Sequence, residues 1–145
     1  MKVQEILRSK PINGIFSVSS ETSVYDAIVK MAEKNIGAVL VIDHEKLVGI
    51  FSERDYARKI ILKGKHSSET SVAEVMTSKL ITVSSTQKIE ECMVLMSEKH
   101  IRHLPVVDGE TLIGIISIND VVSSIIKDQK QRIASLEGYI SGNYA

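Results

Sequence analysis

The sequence predicts an α+β fold in which one β-α-β-β-α unit occurs twice along the chain. The segment GIFSERD, Gly49–Asp55, returns as GIISIND, Gly114–Asp120, at an offset of 65, since 114 − 49 and 120 − 55 are both 65. Aligned without a gap, the stretches of 39 residues that begin at Ser17 and Thr82 are identical at 16 positions. Short continuous apolar runs also alternate with segments of helical period. We therefore expect a tandem repeat in which any site of one copy has a counterpart in the other.

In the first repeat, turn residues separate segments of helical and strand-like pattern. Pro11, Asn13 and Gly14 break a lead-in helix, and a short polar turn between two apolar runs predicts an antiparallel hairpin. The predicted elements are a helix over residues 2–9, a strand over Ile15–Val18, a helix over Val24–Lys34, strands over Ala38–Ile42 and Leu47–Phe51, and a helix from Ser52 to about Leu62.

The second repeat follows the same order and ends in a longer helix. The predicted elements are a helical turn over Val72–Met76, a strand over Leu80–Val83, a helix over Lys88–Lys99, strands over His103–Val107 and Leu112–Ile116 joined at Gly109–Glu110, and a helix from Ser117 to about Leu136. Gly138 is a plausible helix stop, and a loose tail is expected after it.

The repeat divides the chain into residues 1–66, residues 67–136 and a flexible tail over residues 137–145. A unit of about 60 residues buries too little surface to be more than marginally stable by itself. We therefore expect the halves to pack sheet to sheet about a pseudo-two-fold axis, with flanking helices and one shared core.

Composition and charge favour a soluble, cytoplasmic protein. The 145 residues are 43% hydrophobic, and 18 basic residues balance 18 acidic ones. Zero net charge argues against a broad surface for nucleic acid or an anionic membrane. The N-terminal sequence MKVQEILRSK lacks the apolar core of a signal peptide, and no uncharged apolar run approaches the roughly 20 residues that span a bilayer.

A single cysteine, Cys92, excludes an intramolecular disulfide framework and is typical of a reducing compartment. The residue lies on the apolar face of a predicted helix. We therefore interpret it as a small buried side chain rather than a reactive thiol.

The order of the elements, their duplication and the phrases VLVIDHEKLVGIFSERD and IRHLPVVDGETLIGIISINDV resemble the CBS domain pair, in the form of a stand-alone bacterial protein. The resemblance covers roughly residues 3–127. It implies a disc-shaped module that binds an adenosine nucleotide, such as AMP, ADP or ATP, or NAD in clefts between the two repeats. It also implies a homodimer.

The resemblance places the ribose carboxylate at Asp55 and Asp120 and the phosphate-side hydroxyl at Ser52 and Ser117. Arg54 and Arg102 could reach a phosphate. The remaining ligand-binding positions that it implies are Ser17, Ile36, Gly37, Ala38, Thr82, His103, Leu104, Pro105 and Asn119.

The Ser-x-x-Asp pattern suits this chemistry but has a structural alternative. A helix start offers unpaired amide groups to a phosphate, and a carboxylate one turn later can accept both hydroxyls of a ribose. The same spacing is a capping box, which serves only the helix's own amides. The usual partner in that box is Glu or Gln, whereas both copies here have Asp, which favours binding.

We therefore expect a regulatory sensor that signals nucleotide occupancy to an unknown protein partner by a conformational change. The alternative is a structural dimerisation or adaptor module with vestigial nucleotide sites. No nucleophile, phosphate-loop or metal-protease motif is present in the sequence, so we expect no enzyme and no catalytic cofactor. The four histidines lack ligand spacing, so we expect no metal.

Overall fold

The computed structural model describes residues 1–10 and 15–140 and has the predicted α+β fold. Its elements are α1 (Val3–Ser9), β1 (Ser17–Val18), α2 (Val24–Lys34), β2 (Ala38–Asp43), β3 (Lys46–Ser52), α3 (Glu53–Asp55) leading into a π-helix (Tyr56–Ile61), α4 (Val72–Val75), α5 (Ile89–Lys99), β4 (His103–Asp108), β5 (Thr111–Ser117) and α6 (Ile118–Ile140). The predicted helix break at Pro11, Asn13 and Gly14 and the last five residues, 141–145, lie outside the described residues.

Each repeat contributes one antiparallel hairpin, as predicted. Strand β2 pairs with β3, and β4 pairs with β5. In the first hairpin, His44 and Glu45 form the turn with φ of 49° and 65°, and a two-residue turn with both φ values positive matches the right-handed twist of the strands. The pairing sets Ala38 opposite Ser52.

The predicted strand over Leu80–Val83 is reduced to a single bridge with Val106. In the first repeat, β1 pairs with β2, and the amide of Leu40 donates to the carbonyl of Phe16 at 3.3 Å. Pro105 occupies the position equivalent to Leu40 and has no amide hydrogen to donate. This residue therefore explains why the second sheet has two strands where the first has three.

The chain divides into two compact units, and each unit contains the helix that precedes the other repeat in the sequence. The first-repeat unit is Gly14–Ile81 and includes α4, whereas the second-repeat unit joins Met1–Asn13, which includes α1, to Thr82–Ala145. Helix α1 lies on β5, where Leu7 approaches the position that a Cβ of Gly114 would occupy to 2.8 Å. The division at residues 66 and 136, which follows the sequence repeat, stays a prediction.

An apolar core holds the first-repeat unit together and supports the end of β3. Three of its residues come from α2, and the others come from β2, β3, the π-helix and α4. Its buried members are Val24, Ala27, Met31, Val39, Val41, Phe51, Ile60, Val72 and Val75. The strand thereby brings Ser52 to the start of the next helix in a fixed position.

The helix predicted after Ser52 is α-helical only at its start. The amide of Leu62 bonds to the carbonyl of Ala57 at 3.1 Å, which is the i to i+5 spacing of a π-helix. The wider turn buries Ile60. A period of 3.6 residues in the sequence does not distinguish this geometry from an α-helix.

The last helix is longer than predicted. Helix α6 continues through Gly138 to Ile140, so the expected stop at Gly138 is wrong and residues 137–140 are helical rather than part of a loose tail. A glycine inside a helix costs only about 1 kcal/mol relative to alanine. A glycine ends a helix when it adopts the left-handed conformation itself, and Gly138 is not among the glycines with positive φ.

Candidate functional site

Ser52 and Asp55 form a reciprocal capping box at the junction of β3 and α3. The amide of Asp55 donates to Oγ of Ser52 at 3.2 Å, and the amide and hydroxyl of Ser52 donate to Oδ2 of Asp55 at 3.0 and 3.1 Å. The capping box, which the sequence left open as an alternative to ligand binding, therefore forms in the first repeat.

The other oxygen of the Asp55 carboxylate is also occupied. Oδ1 accepts the hydroxyl of Thr77 at 3.2 Å and lies 3.0 Å from Nζ of Lys59. With the two donors of Ser52, the carboxylate has four donors, about the number that its lone pairs can serve. The residue is 8% exposed. A ribose would have to displace protein contacts to reach Asp55.

Ser117 and Asp120 repeat the capping box at the junction of β5 and α6. The amide of Ser117 donates to Oδ2 of Asp120 at 2.8 Å, and the amide of Asp120 donates to Oγ of Ser117 at 3.2 Å. Oδ2 also lies 3.1 Å from Nζ of Lys10, which in turn donates to the carbonyl of Ile115 at 2.7 Å.

The two carboxylates differ in what they leave available to a ligand. Within the described residues, no donor contacts Oδ1 of Asp120, whereas both oxygens of Asp55 are occupied. The side chain of Asp120 is 24% exposed, against 11% for that of Asp55. The repeated sequence motif therefore gives one saturated carboxylate and one that retains an open acceptor.

The amides at both helix starts are used more fully than the sequence indicates. The amide of Glu53 donates to the carbonyl of Gly37 at 3.0 Å, and the amide of Ile118 donates to the carbonyl of Arg102 at 2.8 Å. With the capping-box amides, three of the amides between Ser117 and Asp120 have protein acceptors. A phosphate near these helices would depend mainly on side-chain cations.

The other predicted ligand-binding residues surround the two helix starts at different depths. The hairpin register sets His103 opposite Ser117, as it sets Ala38 opposite Ser52. Ala38, Leu104 and Pro105 are buried, so ligand access to their side chains is small. Half-buried positions are Ser17, Ile36, Gly37, Arg54 and His103, and exposed positions are Thr82, Arg102 and Asn119.

Sequence reasoning missed three residues that contact the candidate carboxylates: Lys10, Lys59 and Thr77. Lys59 follows Asp55 by four residues on one helical segment, and this i, i+4 spacing of opposite charges could have been recognised. No local signal marks Lys10 or Thr77, because their distances from the carboxylates along the chain are long and only the tertiary structure closes them.

Two further properties of the described residues bear on function. Among residues 1–10 and 15–140, no group of three or more histidine, cysteine, aspartate or glutamate side chains is placed to hold a metal ion. None of the helices in these ranges combines the length and the hydrophobicity needed to cross a membrane.

Comparison with known proteins identifies both repeats. The family model described as "CBS domain" matches twice, over residues 3–62 and 72–127. A solved CBS-domain protein of Burkholderia ambifaria MC40-6 is 50% identical with a TM-score of 0.86, and the match covers 89% of this chain and 96% of that one.

Two other relatives add detail. The mitochondrial CBS domain-containing protein CBSX3 of Arabidopsis thaliana is 40% identical over 131 residues, which are 87% of this chain and 64% of that protein. The CBS domain pair of protein MJ0100, solved with 5′-methylthioadenosine and S-adenosyl-L-methionine, is 28% identical with a TM-score of 0.76 and coverage of 89% and 98%. The chain spans less than two thirds of the first curated relatives it matches.

Proposed function

The chain belongs to the CBS domain family as a tandem pair, and from this premise we propose that it is a regulatory module that binds an adenosine-containing ligand at Asp120. The ligand class is AMP, ADP, ATP or NAD, with the ribose hydroxyls on the Asp120 carboxylate. The proposal assigns no catalytic residue, because the capping-box aspartates belong to separate repeats and neither faces an activated nucleophile.

The observation that carries the choice of site is Oδ1 of Asp120, which accepts from no donor in the part of the chain that the structure describes. A ribose hydroxyl can donate to Oδ1 while Oδ2 keeps its contacts with Ser117 and Lys10. At Asp55 the same hydroxyl would have to replace Thr77 or Lys59, and each lost charge-assisted hydrogen bond costs about 1.5–3 kcal/mol. One ligand per chain, at the second repeat, follows from this difference.

Two cations near Asp120 support a ligand that carries phosphate. Nζ of Lys10 lies against the carboxylate, and Arg102 is exposed one residue before His103, which pairs with Ser117. Arginine and lysine are the side chains that bind phosphate oxygens most effectively. The MJ0100 pair is described in complex with two adenosine derivatives, which supports an adenosine group as the shared part of the ligand.

Lys10 also suggests how occupancy could be transmitted. It connects the end of α1 to Asp120 and to the carbonyl of Ile115. A ligand that binds better when Lys10 turns to its phosphate would shift the population of α1 positions, since a ligand changes an equilibrium only through its different affinities for the two states. We propose that a protein partner, still to be identified, senses that shift.

Calorimetric titration with AMP, ADP, ATP, NAD and S-adenosylmethionine tests the site. The matched variants are Asp120→Asn and Asp55→Asn, because asparagine retains one acceptor for the capping box and removes the charge. We expect Asp120→Asn to weaken the binding of at least one ligand by more than tenfold and Asp55→Asn to leave it within twofold.

Either of two results would reject this site. A larger loss of affinity in Asp55→Asn than in Asp120→Asn would move the ligand to the first repeat. Equal affinities in all three proteins would remove both carboxylates from the site.

A structural adaptor remains the second candidate function, because both Ser–Asp pairs serve as capping boxes and the Asp55 carboxylate is fully used by protein donors. Absence of binding by every ligand in the same titration, with a folded protein, would favour the adaptor.

A further inference from the structure

The end of the π-helix in the first-repeat unit exposes two neighbouring large apolar side chains. Ile61 is 60% exposed and Leu62 is 77% exposed. The packing of the unit uses neither of them, because Ile60 is the residue that this segment contributes to the core. One exposed apolar residue is ordinary, whereas two in succession form an apolar patch that another molecule can cover.

Basic side chains surround this patch. Residues 56–68 include four basic side chains and no acidic one. One of the four, Lys59, is held by Asp55 and by the carbonyl of Val75. The other three are exposed and form no ion pair with the residues that the structure describes. We name these three cations and the two apolar side chains the basic corner: Arg58, Ile61, Leu62, Lys63 and Lys65.

Two backbone hydrogen bonds hold the basic corner in one conformation. The amide of Lys65 donates to the carbonyl of Ile60 at 3.0 Å, and the amide of Gly64 donates to the carbonyl of Ile61 at 3.2 Å. Together with a φ of 66° at Gly64, these bonds make up a Schellman motif. A partner therefore meets a preformed surface and does not have to order a loop, which lowers the cost of binding.

The helix end by itself does not account for the charge of Lys65. In a Schellman motif the residue after the left-handed one often makes an apolar contact with the last helical turn, and a lysine gives up part of that contact. Lysines near a helix C-terminus can instead serve the last carbonyls. Here the carbonyls of Ile60 and Ile61 already accept backbone amides. The ammonium group of Lys65 is thus available to another molecule.

We propose that the basic corner binds an acidic segment of a protein partner, in which an apolar side chain stands between aspartates or glutamates. The apolar side chain covers Ile61 and Leu62, and the carboxylates pair with the three cations. This inference rests on the proposed regulatory function, since it gives the chemistry of the partner that senses the ligand.

Charge favours a short protein segment over the other possible occupants. The unit Gly14–Ile81 has nine basic and nine acidic residues. A membrane or a nucleic acid presents charge over a wide area, so the acidic residues of the unit oppose its approach. A second copy in a two-fold contact centred on the basic corner brings three cations against three. A short acidic segment meets the corner alone, because charges farther away than roughly 10 Å are screened in 0.1 M salt.

Peptide display on the full chain tests the surface. A library of short random peptides is selected on the wild type and then compared on Lys63→Glu/Lys65→Glu. The matched control is Lys46→Glu/Lys79→Glu, which makes the same change of charge at two exposed lysines of the same unit. We expect the selected peptides to be acidic around an apolar residue. In fluorescence anisotropy their affinity should fall roughly tenfold or more in the corner variant and less than about twofold in the control.

Leu62→Gln tests the apolar part of the basic corner. Its control is Val94→Gln, at a position of α5 that is also exposed. We expect Leu62→Gln to weaken the selected peptides by roughly threefold or more, because apolar area of the complex is lost, and Val94→Gln to leave their affinity unchanged. Circular dichroism of all four variants checks that each is folded.

Three results would overturn the proposal. Selection of the same peptides by the wild type and the corner variant would remove the basic corner from the contact, as would failure to select any acidic peptide. Binding to phosphatidylserine vesicles, lost in the corner variant and without a selected acidic peptide, would assign the surface to a membrane. A lower mass of the corner variant in sedimentation equilibrium would assign it to a second copy.

Nucleotide titration separates this inference from the proposed function, because the corner variants leave Lys10, Ser117 and Asp120 unaltered. Adenosine compounds that bind at Asp120 while no acidic peptide binds would reject the basic corner alone. Acidic peptides that bind while no adenosine compound does would reject the Asp120 site and leave the corner as an adaptor surface.

Discussion

Lys10 and Asp120, which lie near opposite ends of the chain, form an ion pair with Nζ 3.1 Å from Oδ2. Lys10 also donates to the carbonyl of Ile115 at 2.7 Å. The segment that follows α1 is thereby connected to the junction of β5 and α6, where the proposed ribose carboxylate lies. This contact makes Lys10 part of the candidate site and gives that site properties that its counterpart in the first repeat lacks.

Replacing Lys10 should change which adenosine compounds bind. Lys10→Met removes a cation that pairs with Asp120 and could bind a phosphate of the ligand. We therefore expect the ratio of the affinity for ATP to the affinity for adenosine to fall by about tenfold, because one charge-assisted hydrogen bond is lost. Titrations with both compounds measure the ratio. Lys59→Met is the matched control and should leave the ratio unchanged; a lower ratio in that variant would argue for the Asp55 site.

The glycines before the two Ser–Asp pairs should differ in their tolerance of alanine. The three atoms nearest to a Cβ at Gly114 all belong to the flexible side chain of Leu7, and the nearest, Cδ2, lies at 2.8 Å. A Cβ at Gly49 would lie 2.6 Å from Sδ of Met76 and 3.1 Å from the carbonyl oxygen of Thr77. That carbonyl accepts the amide of Ile50 and cannot move freely.

We therefore expect Gly49→Ala to lower the free energy of unfolding by about 1–3 kcal/mol and Gly114→Ala by less than about 1 kcal/mol. Urea denaturation at neutral pH with a constant m value measures the difference. A greater loss in Gly114→Ala would show that the α1–β5 contact is the tighter of the two.

The carboxylates of Asp43 and Asp108, which occupy equivalent positions in the two repeats, should make the free energy of unfolding depend on pH in the acid range. Hydrogen bonds from the hydroxyl and amide of Ser20 lower the pKa of Asp43 below 3.8, and those of Ser85 lower the pKa of Asp108 in the same way. Because the folded pKa is depressed, the stabilisation is present above 3.8 and is lost as the pH falls through the folded pKa.

The double variant Asp43→Asn/Asp108→Asn should accordingly be less stable than the wild type at neutral pH, and the difference should shrink as the pH falls below 3.8. Urea denaturation across the acid range measures it. A difference that stays constant down to strongly acid buffer would show that these hydrogen bonds do not depend on the charge.

Cys92 should react slowly with alkylating reagents in the folded protein. Burial in α5 raises the pKa of its thiol from 9.0 to about 11, which lowers the thiolate fraction near neutral pH roughly a hundredfold. Mass spectrometry after iodoacetamide treatment, with and without urea, measures the protection. Rapid labelling without urea would mean that α5 opens readily.

The element order of both repeats could be predicted from the sequence because period and turn residues act over short distances. Helix α2 has the predicted bounds, and both hairpins form as predicted. The buried position of Cys92 is also confirmed. The shortened strand before α5 has a local cause as well, since Pro105 lacks the amide that Leu40 supplies. The effect of Pro105 on strand pairing nevertheless depends on which strand lies beside it, and that is decided by the tertiary structure.

The sequence by itself determined the duplication, because identical residues recur at an offset of 65, and it determined the Ser-x-x-Asp spacing at both helix starts. That spacing left a capping box and a ligand contact as alternatives, and the structure has the capping box in both repeats. The tertiary structure alone decided that α1 joins the second repeat's unit, that Thr77 completes the shell of Asp55 and that Lys10 reaches Asp120. Contacts between residues far apart in the chain depend on how whole elements pack. For that reason two nearly identical motifs become a carboxylate with donors on both oxygens at Asp55 and, at Asp120, a carboxylate whose Oδ1 contacts no donor among residues 1–10 and 15–140.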